Sequence, residues 1–322
     1  MQHKLVMVSV MIFLAGAVPV MGQEAELAFT AAGEGWVDFD TGVVKGKLRA
    51  DGKSQGIPTL VDVKTGTELA YGGENPGIFS FYRLLSAGKR WIVEKGGHTF
   101  REWPQTLRVM PDGSAQVRWP SQKEHPVEVT ATFRWISPTT LDCVTEAKPD
   151  IAMQDFEVFL SSYFNSDFES LVYVRPPLHA SGDPHFLKPV GSPLVLGTYL
   201  TFPRDLHAAQ MTYDGRWEQG QNPVHWSIAH FMAEPLALMR DSKTGITFVQ
   251  MCRPENCFAV RMPYNLTPPD DVAGHHSIYL SLFGGDVKAG VAVRARVRMI
   301  VDRGMTDARA LEAYKDFVKS AH

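Results

Sequence analysis

The stretch EVFLSSYFNSDFE, which runs from Glu157 to Glu169, carries the clearest fold signal in the chain. Its β-branched and aromatic residues are typical of a strand, and the Asn-Ser-Asp that follows them is typical of a turn. Two serine hydroxyls, a phenol and the amide of Asn165 lie where that strand ends. We therefore predict a buried strand whose polar end is either part of a binding site or only the beginning of a turn.

Strand patterns of the same kind extend over most of the chain. Runs of about five to nine alternating or apolar residues recur between turn signals, and the 322 residues include 27 glycines and 21 prolines. No repeat of about 34 to 45 residues is visible, so neither a propeller nor a solenoid is predicted. The pattern favours one large all-β domain over residues 23–303, built as an antiparallel sandwich.

The C-terminal segment has a different period. Thr306 is a suitable N-cap, and the apolar residues after it recur at helical spacing. These residues are Ala310, Leu311, Tyr314, Phe317 and Val318. We predict one amphipathic helix within residues 304–322, packed on the β domain.

The N-terminus has the pattern of a secretory signal peptide over residues 1–22. Lys4 precedes an uncharged apolar run from Leu5 to Val18, and small residues follow up to Gly22. The alternative is an uncleaved membrane anchor, but the run is short for a membrane span. We therefore expect a secreted or periplasmic protein with no stable membrane span after cleavage.

Export makes disulfides possible, and the chain has three cysteines. Cys252 and Cys257 flank a Pro-Glu-Asn turn, so they form either a disulfide across that turn or two unpaired thiols. Cys143 lies in an alternating strand and is expected to be a small buried residue. The cysteines show no metal-ligand spacing, so neither a metal nor a cofactor is predicted.

The charge balance bears on the class of partner. The chain has 32 Lys and Arg against 35 Asp and Glu, which gives a net charge of −3. Because phosphate contacts require a basic surplus, nucleic acid is not an expected partner.

Two motifs, which follow one another along the chain, make the fold prediction more specific. The first, HTFREW, runs from His98 to Trp103 and precedes a strand. The second, SSYFN, ends the strand introduced above at Asn165. Arginine and histidine can hydrogen-bond to hydroxyl groups, and tryptophan can stack on the apolar face of a sugar.

Together these motifs resemble the galactose mutarotase-like β-supersandwich superfamily, which includes the aldose 1-epimerases. His98, Arg101 and Trp103 match its first motif, with a His-to-Arg gap one residue shorter. Residues 162–165 match its Ser-Tyr-Phe-Asn motif, and residues 56–69 resemble its entry strands. The resemblance covers the first half of the mature chain and implies a β-supersandwich whose concave face holds the ligand.

The chain departs from this family at both catalytic positions. Ser161 stands where the family has its catalytic histidine, and a serine cannot serve as a proton donor near neutral pH. The family's late catalytic glutamate has no clear counterpart, since Glu255 lies on the cysteine-flanked turn and residues 277–301 contain no glutamate. Standard aldose 1-epimerase chemistry is therefore not expected.

The resemblance implies a sugar pocket formed by His98, Arg101, Trp103 and Asn165. Residues 176–224 are irregular and rich in Pro, Gly and His, and loops of this kind often line binding sites. We therefore place three further residues at the rim: His185, His225 and Trp226. The alternatives are a solvated turn for His98 and Arg101, core packing for Trp103, and ordinary loop or core positions for the other three.

The function that follows is carbohydrate binding or processing by an exported protein. In the enzyme alternative, a hydrolase, lyase or non-standard epimerase would use His98 or His225 as acid or base. Glu102 with Asp155 or Glu157 could also supply the carboxylate pair of a glycoside hydrolase. A third alternative is a structural or interaction module without a ligand pocket.

Overall fold

The structure is a computed structural model. It describes residues 27–91, 99–177, 180–189, 199–220, 222–228, 230–263 and 276–320. The predicted signal peptide over residues 1–22 and the predicted site residue His98 lie outside these ranges. No helix among the described residues has both the length and the apolar content needed to cross a membrane.

In the described ranges the chain forms strands and two α-helices. The strands are β1 (Thr30–Ala31), β2 (Trp36–Asp40), β3 (Val44–Arg49), β4 (Gly56–Asp62), β5 (Ser80–Ser86), β6 (Lys89–Trp91), β7 (Thr106–Val109), β8 (Ala115–Trp119), β9 (Val127–Ser137), β10 (Thr140–Pro149), β11 (Met153–Phe164), β12 (Glu169–Val174), β13 (His185–Leu187), β14 (Tyr199–Pro203), β15 (Trp226–Ile228), β16 (Met232–Arg240), β17 (Ile246–Cys252), β18 (Cys257–Pro263), β19 (His276–Val287) and β20 (Val293–Arg303). The helices are α1 (Leu206–Thr212) and α2 (Asp307–Lys319), and short 3₁₀ turns span Phe100–Glu102 and Pro254–Asn256.

These strands form three sheets. A four-stranded sheet has the order β1-β2-β3-β4, and a nine-stranded sheet has the order β13-β12-β16-β17-β20-β10-β9-β8-β7. The third sheet has seven strands in the order β15-β14-β18-β19-β11-β5-β6. Neighbouring strands are antiparallel in every described pair except β14 with β15. The predicted all-β antiparallel architecture is therefore confirmed.

The core lies between the nine-stranded and seven-stranded sheets. Strand β9 alternates buried and partly exposed residues, as a strand with one face on the core must. Across the core, the ring of Phe164 on β11 lies 4.8 Å from that of Phe248 on β17. Gln250 Nε2 donates to Ser162 Oγ at 2.7 Å, which links the same two strands. The two sheets therefore pack face to face as a sandwich.

Strand β11 is central to the seven-stranded sheet and is buried on both faces. It pairs with β19 on one side and with β5 on the other. Val158 and Leu160 point into the sandwich core, whereas Phe159 and Tyr163 belong to a separate aromatic cluster. We call the face that carries this second cluster the outer face of the seven-stranded sheet.

The predicted C-terminal helix is present as α2. The Thr306 hydroxyl accepts a hydrogen bond from the Arg309 backbone N–H, which caps its N-terminus. Its buried residues Ala310, Tyr314 and Phe317 belong to the same cluster as residues of β16 and β17. The helix therefore covers the side of the nine-stranded sheet that faces away from the sandwich core, as the apolar spacing predicted.

The three cysteines are buried free thiols in this structure. Burial raises the pKa of Cys252, and a hydrogen bond with the thiol of Cys257 raises it further. The sequence left open whether Cys252 and Cys257 form a disulfide, and in the structure both are thiols. Cys143 is buried in the core, as expected.

Candidate functional site

The outer face of the seven-stranded sheet combines aromatic rings with buried charges. Its apolar cluster contains Leu85, Phe159, Tyr163, Trp217, Trp226 and Tyr279. Residues 213–220 and 222–226, which we call the roof, cover this face and contribute both tryptophans. Trp217 is 2% exposed, and its ring lies 4.9 Å from that of Phe159 beneath it.

Three arginines are fully enclosed between the roof and the sheet. Arg83, Arg216 and Arg261 are each at most 1% exposed. The guanidinium carbons of Arg83 and Arg261 lie 5.0 Å and 4.6 Å from the centroid of the Trp217 ring. Guanidinium groups are weakly hydrated and favour aromatic faces, so they tolerate this position better than lysines would.

Two carboxylates partly compensate these buried cations. Glu157 lies 3.2 Å from Arg216 and 3.6 Å from Arg261, and all three side chains are 0% exposed. Asp214 of the roof lies 2.7 Å from Arg216. Burial lowers the pKa of Arg261 to about 10, although the Glu157 charge opposes that shift. The pKa of Arg83 is also lowered by burial.

The buried cations also hold the roof in place. Arg83 Nη2 donates to the backbone carbonyl of Asn222 at 2.6 Å. At the sheet edge, Arg90 Nη1 donates to the carbonyl of Gln219 at 2.8 Å. Each bond joins a strand residue to a roof residue more than a hundred positions away. The roof therefore fills the centre of the outer face with protein side chains.

An opening remains at one edge of this face. It has a volume of about 190 Å³ and we call it the Arg101 pocket. Its lining residues are Lys53, Tyr82, Arg90, Thr99, Arg101, Glu102 and Asn222. A wider groove of about 470 Å³ lies on the four-stranded sheet, but its Lys47 and Asp38 side chains pair with each other at 3.6 Å. Unlike that groove, the Arg101 pocket is lined by residues of the HTFREW motif.

Arg101 has a donor that no described residue satisfies. The Thr99 hydroxyl accepts from the Arg101 backbone N–H, and Arg101 Nε donates to Ser80 Oγ at 3.1 Å. Its guanidinium carbon lies 4.5 Å from the Tyr82 ring centroid and 6.0 Å from that of Tyr163. The Nη2 atom is buried and finds no hydrogen-bond partner among the described residues. An unsatisfied buried donor is costly, so this atom favours an oxygen from a ligand.

Tyr82 owes its place in the pocket to a bulge in β5. The pairing of β5 with β11 shifts so that Phe159 opposes Arg83 and Leu160 opposes Phe81, which leaves Tyr82 as the extra residue. Burial tends to raise the pKa of Tyr82, but the Arg83 and Arg101 guanidinium groups outweigh it, and the pKa is lowered overall. The two guanidinium groups therefore favour the ionised form of the Tyr82 phenol.

The polar groups at the end of β11 mostly have structural partners. Ser161 Oγ donates to the Ser80 carbonyl at 2.8 Å, and Ser162 Oγ accepts from the Phe79 backbone N–H at 3.1 Å. Asn165 Nδ2 donates to the Glu68 carbonyl at 3.0 Å, so its amide is used to anchor the strand end. Of the SSYFN motif, Tyr163 is the residue whose ring lies near Arg101.

The other predicted site residues are not brought together with Arg101. Trp103 is 2% exposed and lies in the sandwich core, so the core alternative applies to it. Trp226 is a buried roof residue whose ring centroid lies 4.8 Å from the guanidinium carbon of Arg261, and it does not line the pocket. His225 is exposed beside it, and His185 is exposed on β13 at the edge of the other large sheet.

The carboxylate pair suggested for hydrolysis is also not assembled at the pocket. Glu102 lines the pocket, but Glu157 is enclosed with its two arginines. The carboxylate oxygen Oδ1 of Asp155 instead lies 2.7 Å from His207 Nε2. Within the described residues, no group of three or more His, Cys, Asp or Glu side chains could hold a metal ion.

Five pocket residues were missed from the sequence: Lys53, Tyr82, Arg90, Thr99 and Asn222. Thr99 belongs to the HTFREW motif, but the other four come from separate parts of the chain that no motif connects. The sequence signal that could have pointed to one of them is the FYR segment in β5, where a tyrosine and an arginine interrupt an otherwise apolar strand.

The core position of Trp103 leads to a prediction about pH. His125 is 0% exposed and stacks on the Trp103 ring at 3.8 Å between centroids. Burial lowers the pKa of His125, and neighbouring backbone groups offset only part of that effect. Because the unfolded chain binds a proton below about pH 6.5 and the folded chain resists it, stability present above that pH should be lost as the pH falls.

Urea unfolding at pH 7.5, 6.5 and 5.5 measures this effect in the wild type and in a His125→Phe variant, which keeps an aromatic ring. The wild type should lose up to about 1.4 kcal/mol more per pH unit than the variant over this window. Parallel pH dependences of the two proteins would contradict the assignment.

Comparisons with known proteins add a likeness of structure. No model of a known protein family matches the chain, and no curated protein matches its sequence. Among solved structures, the galactose 1-epimerase of Lactobacillus acidophilus NCFM is similar, with 11% identity and a TM-score of 0.49 over 84% of this chain and 95% of that one. An aldose epimerase homologue from C. elegans has 9% identity and a TM-score of 0.47 over 84% of this chain and 99% of that one.

A heparan sulfate lyase mutant from Pedobacter heparinus is also similar, with 7% identity and a TM-score of 0.47 over 88% of this chain and 38% of that one. Each of these TM-scores is below 0.5, so the likeness says nothing of this chain's activity or ligand.

Proposed function

We propose that this protein binds a carbohydrate in the Arg101 pocket. The observation that carries the proposal is the buried Nη2 of Arg101, which has no described partner and lies beside the Tyr82 ring. A sugar hydroxyl can supply the missing acceptor, and Tyr82, over whose ring the Arg101 guanidinium lies, borders the same opening. The sequence motif suggested hydrogen bonding by Arg101, but it gave Trp103 as the stacking ring, and Trp103 lies in the core.

The size and lining of the pocket support a small ligand or one unit of a larger one. Drug-sized ligands occupy sites of about 300–1,000 Å³, and this pocket has about 190 Å³. Lys53 and the Asn222 side chain add a donor and an amide at its edge. A single sugar unit of a longer glycan, with the neighbouring units in solvent, is the ligand that this opening supports best.

An acid–base enzyme is the second candidate. Proton transfer to or from a sugar needs two titratable groups at the same site. Tyr82, whose pKa is lowered, and Glu102 both line the pocket and supply such a pair. His225, the candidate from the sequence, is exposed beside Trp226 and does not line the pocket, and His98 lies outside the described residues.

Replacing Arg101 with glutamine tests the proposed function. The variant should bind a responsive glycan at least about tenfold more weakly than the wild type, because a charge-assisted hydrogen bond is lost. A glycan array identifies the ligand, and titration calorimetry measures the affinities. Arg294→Gln is the matched control, since Arg294 is exposed on β20 in the other sheet.

Two outcomes would count against carbohydrate binding here. If no glycan on a broad array binds the wild type, the structural or interaction module becomes the better explanation. If Arg101→Gln and Arg294→Gln retain equal affinity, the ligand binds elsewhere on the protein. Mutarotation and hydrolysis assays on the bound glycan, with Tyr82→Phe beside the wild type, then separate a binding protein from an enzyme.

We also propose that the protein is exported, which rests on the pattern of residues 1–22 alone. N-terminal sequencing of the protein recovered from its producing cell tests this. Cleavage near Gly22 would support export, and an intact Met1 would contradict cleavage.

A further inference from the structure

A buried serine joins Arg101 to the loop that precedes β4. Ser80 is 0% exposed, and its Oγ accepts a hydrogen bond from Arg101 Nε at 3.1 Å. The same hydroxyl donates to Gln55 Oε1 at 3.2 Å, and Gln55 is 2% exposed. A hydroxyl has one proton to donate, and an arginine side chain can only donate. Gln55 therefore takes the proton of Ser80, which leaves a lone pair of Ser80 for Arg101.

The backbone that carries Ser80 is fixed from two sides. Ser161 Oγ donates to the Ser80 carbonyl, and Ser162 Oγ accepts from the Phe79 backbone N–H. Phe79 has a φ of 58°, a left-handed conformation that is strained for an aromatic residue. A Cβ added to Gly56 would lie 3.0 Å from the Ser80 backbone nitrogen, so the two backbones approach closely there. The serines of the SSYFN motif therefore help to hold Ser80 in place.

The guanidinium of Arg101 is held at its Nε and over a ring. The hydrogen bond to Ser80 constrains Nε, and the guanidinium carbon lies 4.5 Å from the centroid of the Tyr82 ring. The Arg101 carbonyl also accepts from the Gly52 backbone N–H at 2.8 Å. Because a guanidinium is rigid and planar, these contacts together set the direction of its remaining donors. One of these donors is Nη2, which has no hydrogen-bond partner among the described residues.

We infer that Ser80, supported by Gln55, is a positioning residue that keeps Arg101 Nη2 oriented for an oxygen of the ligand in the Arg101 pocket. This inference rests on the proposed function and extends it to the residues that orient its central donor. Binding is tighter when a donor is already fixed in its bound position, because less conformational entropy is lost on binding. Neither Ser80 nor Gln55 is among the described residues that line the pocket, so both act through Arg101.

Hydrogen exchange at the Arg101 side chain tests the positioning role without any ligand. In ¹⁵N-labelled protein at pH 7, the Nε–H signal of Arg101 is identified by its absence from Arg101→Gln. Ser80→Ala should make this proton exchange at least about tenfold faster, because it removes the acceptor. Ser114→Ala is the matched control and should leave the Arg101 exchange rate unchanged. Ser114 is 1% exposed, and its hydroxyl bonds to Asp112 in the β7–β8 turn.

Gln55→Met is a second variant, which keeps the role testable if Ser80→Ala does not fold. Methionine is close to glutamine in shape, but its thioether is only a weak hydrogen-bond acceptor. The Ser80 hydroxyl then loses the partner that orients it. Exchange of the Arg101 Nε–H should therefore become several-fold faster in Gln55→Met.

A double-mutant cycle tests the consequence for binding. The probes are the methyl glycosides of glucose, galactose and mannose, together with any glycan that binds on the array, and titration calorimetry measures their affinities. Ser80→Ala should weaken the binding of a responsive probe by about three- to tenfold. In the Arg101→Gln background the same change should have no further effect, since Ser80 acts through Arg101.

The outcomes distinguish this inference from the proposed function. Unchanged Arg101 exchange in Ser80→Ala and Gln55→Met would overturn the positioning role, whether or not a glycan binds. An equal loss of affinity from Ser80→Ala in the wild-type and Arg101→Gln backgrounds would also overturn it, because the serine would then act independently of Arg101. Faster exchange without binding of any probe would overturn carbohydrate binding, while the orientation of Arg101 by Ser80 would stand.

Discussion

Replacing Glu157 with glutamine should lower the free energy of unfolding by about 3–5 kcal/mol, because it leaves two buried cations without their shared carboxylate. Glu157, Arg216 and Arg261 all have side chains that are 0% exposed. Water cannot replace the lost charge unless the roof opens. Urea unfolding at pH 7, followed by tryptophan fluorescence, measures the change.

A double-mutant cycle separates the ion pair from general damage to the core. Combining Glu157→Gln with Arg261→Met removes a cation together with its carboxylate, so the double variant should be less destabilised than the sum of the two single variants. Glu128→Gln is the surface control: Glu128 is 37% exposed and pairs with an exposed Arg118, so its loss should cost at most about 1 kcal/mol. Equal costs for Glu157→Gln and Glu128→Gln would show that the buried network does not stabilise the fold.

Truncating Trp217 to alanine should lower the free energy of unfolding by about 3–5 kcal/mol, the usual range for removing a buried aromatic side chain. Trp217 is 2% exposed and contacts the rings of Phe159 and Trp226 at 4.9 Å and 5.1 Å. It also covers the guanidinium groups of two buried arginines. Because the roof has little secondary structure, its position depends on such contacts more than on backbone hydrogen bonds.

The matched control for Trp217→Ala is Leu206→Ala. Leu206 is 72% exposed at the start of α1, and truncating it should change stability by at most about 0.5 kcal/mol. Chemical denaturation of both variants with the same probe gives the comparison. If Trp217→Ala unfolds at the wild-type denaturant concentration, the roof does not pack on the sheet as described.

The roof also explains why the site differs from the one predicted. The resemblance to mutarotase-like proteins implied a ligand on an open concave face, whereas here Trp217 and Trp226 cover the outer face of the seven-stranded sheet. The remaining opening lies at the edge, where Arg101 meets the bulge at Tyr82. A tryptophan two residues after Arg101 looked equally suited to a sugar, but Trp103 turns into the core and stacks on His125.

Several features could be predicted because they depend on local sequence. The alternation along β9 and the helical spacing after Thr306 each report a periodicity of the backbone. The strand that ends at SSYFN is present as β11, and its polar end marks the neighbourhood of Arg101 through Tyr163. These predictions succeeded because side-chain period and capping are set by residues close together in the chain.

The sequence by itself determined the strands, the terminal helix and the position of Arg101 ahead of its strand. Only the tertiary structure decided which polar residues face a cavity, because burial and charge pairing depend on segments far apart in the chain. Glu157 illustrates this, since its partner Arg216 lies 59 residues away and its partner Arg261 comes from another strand. The Arg101 pocket likewise includes Lys53 and Arg90, which no motif connects to Arg101.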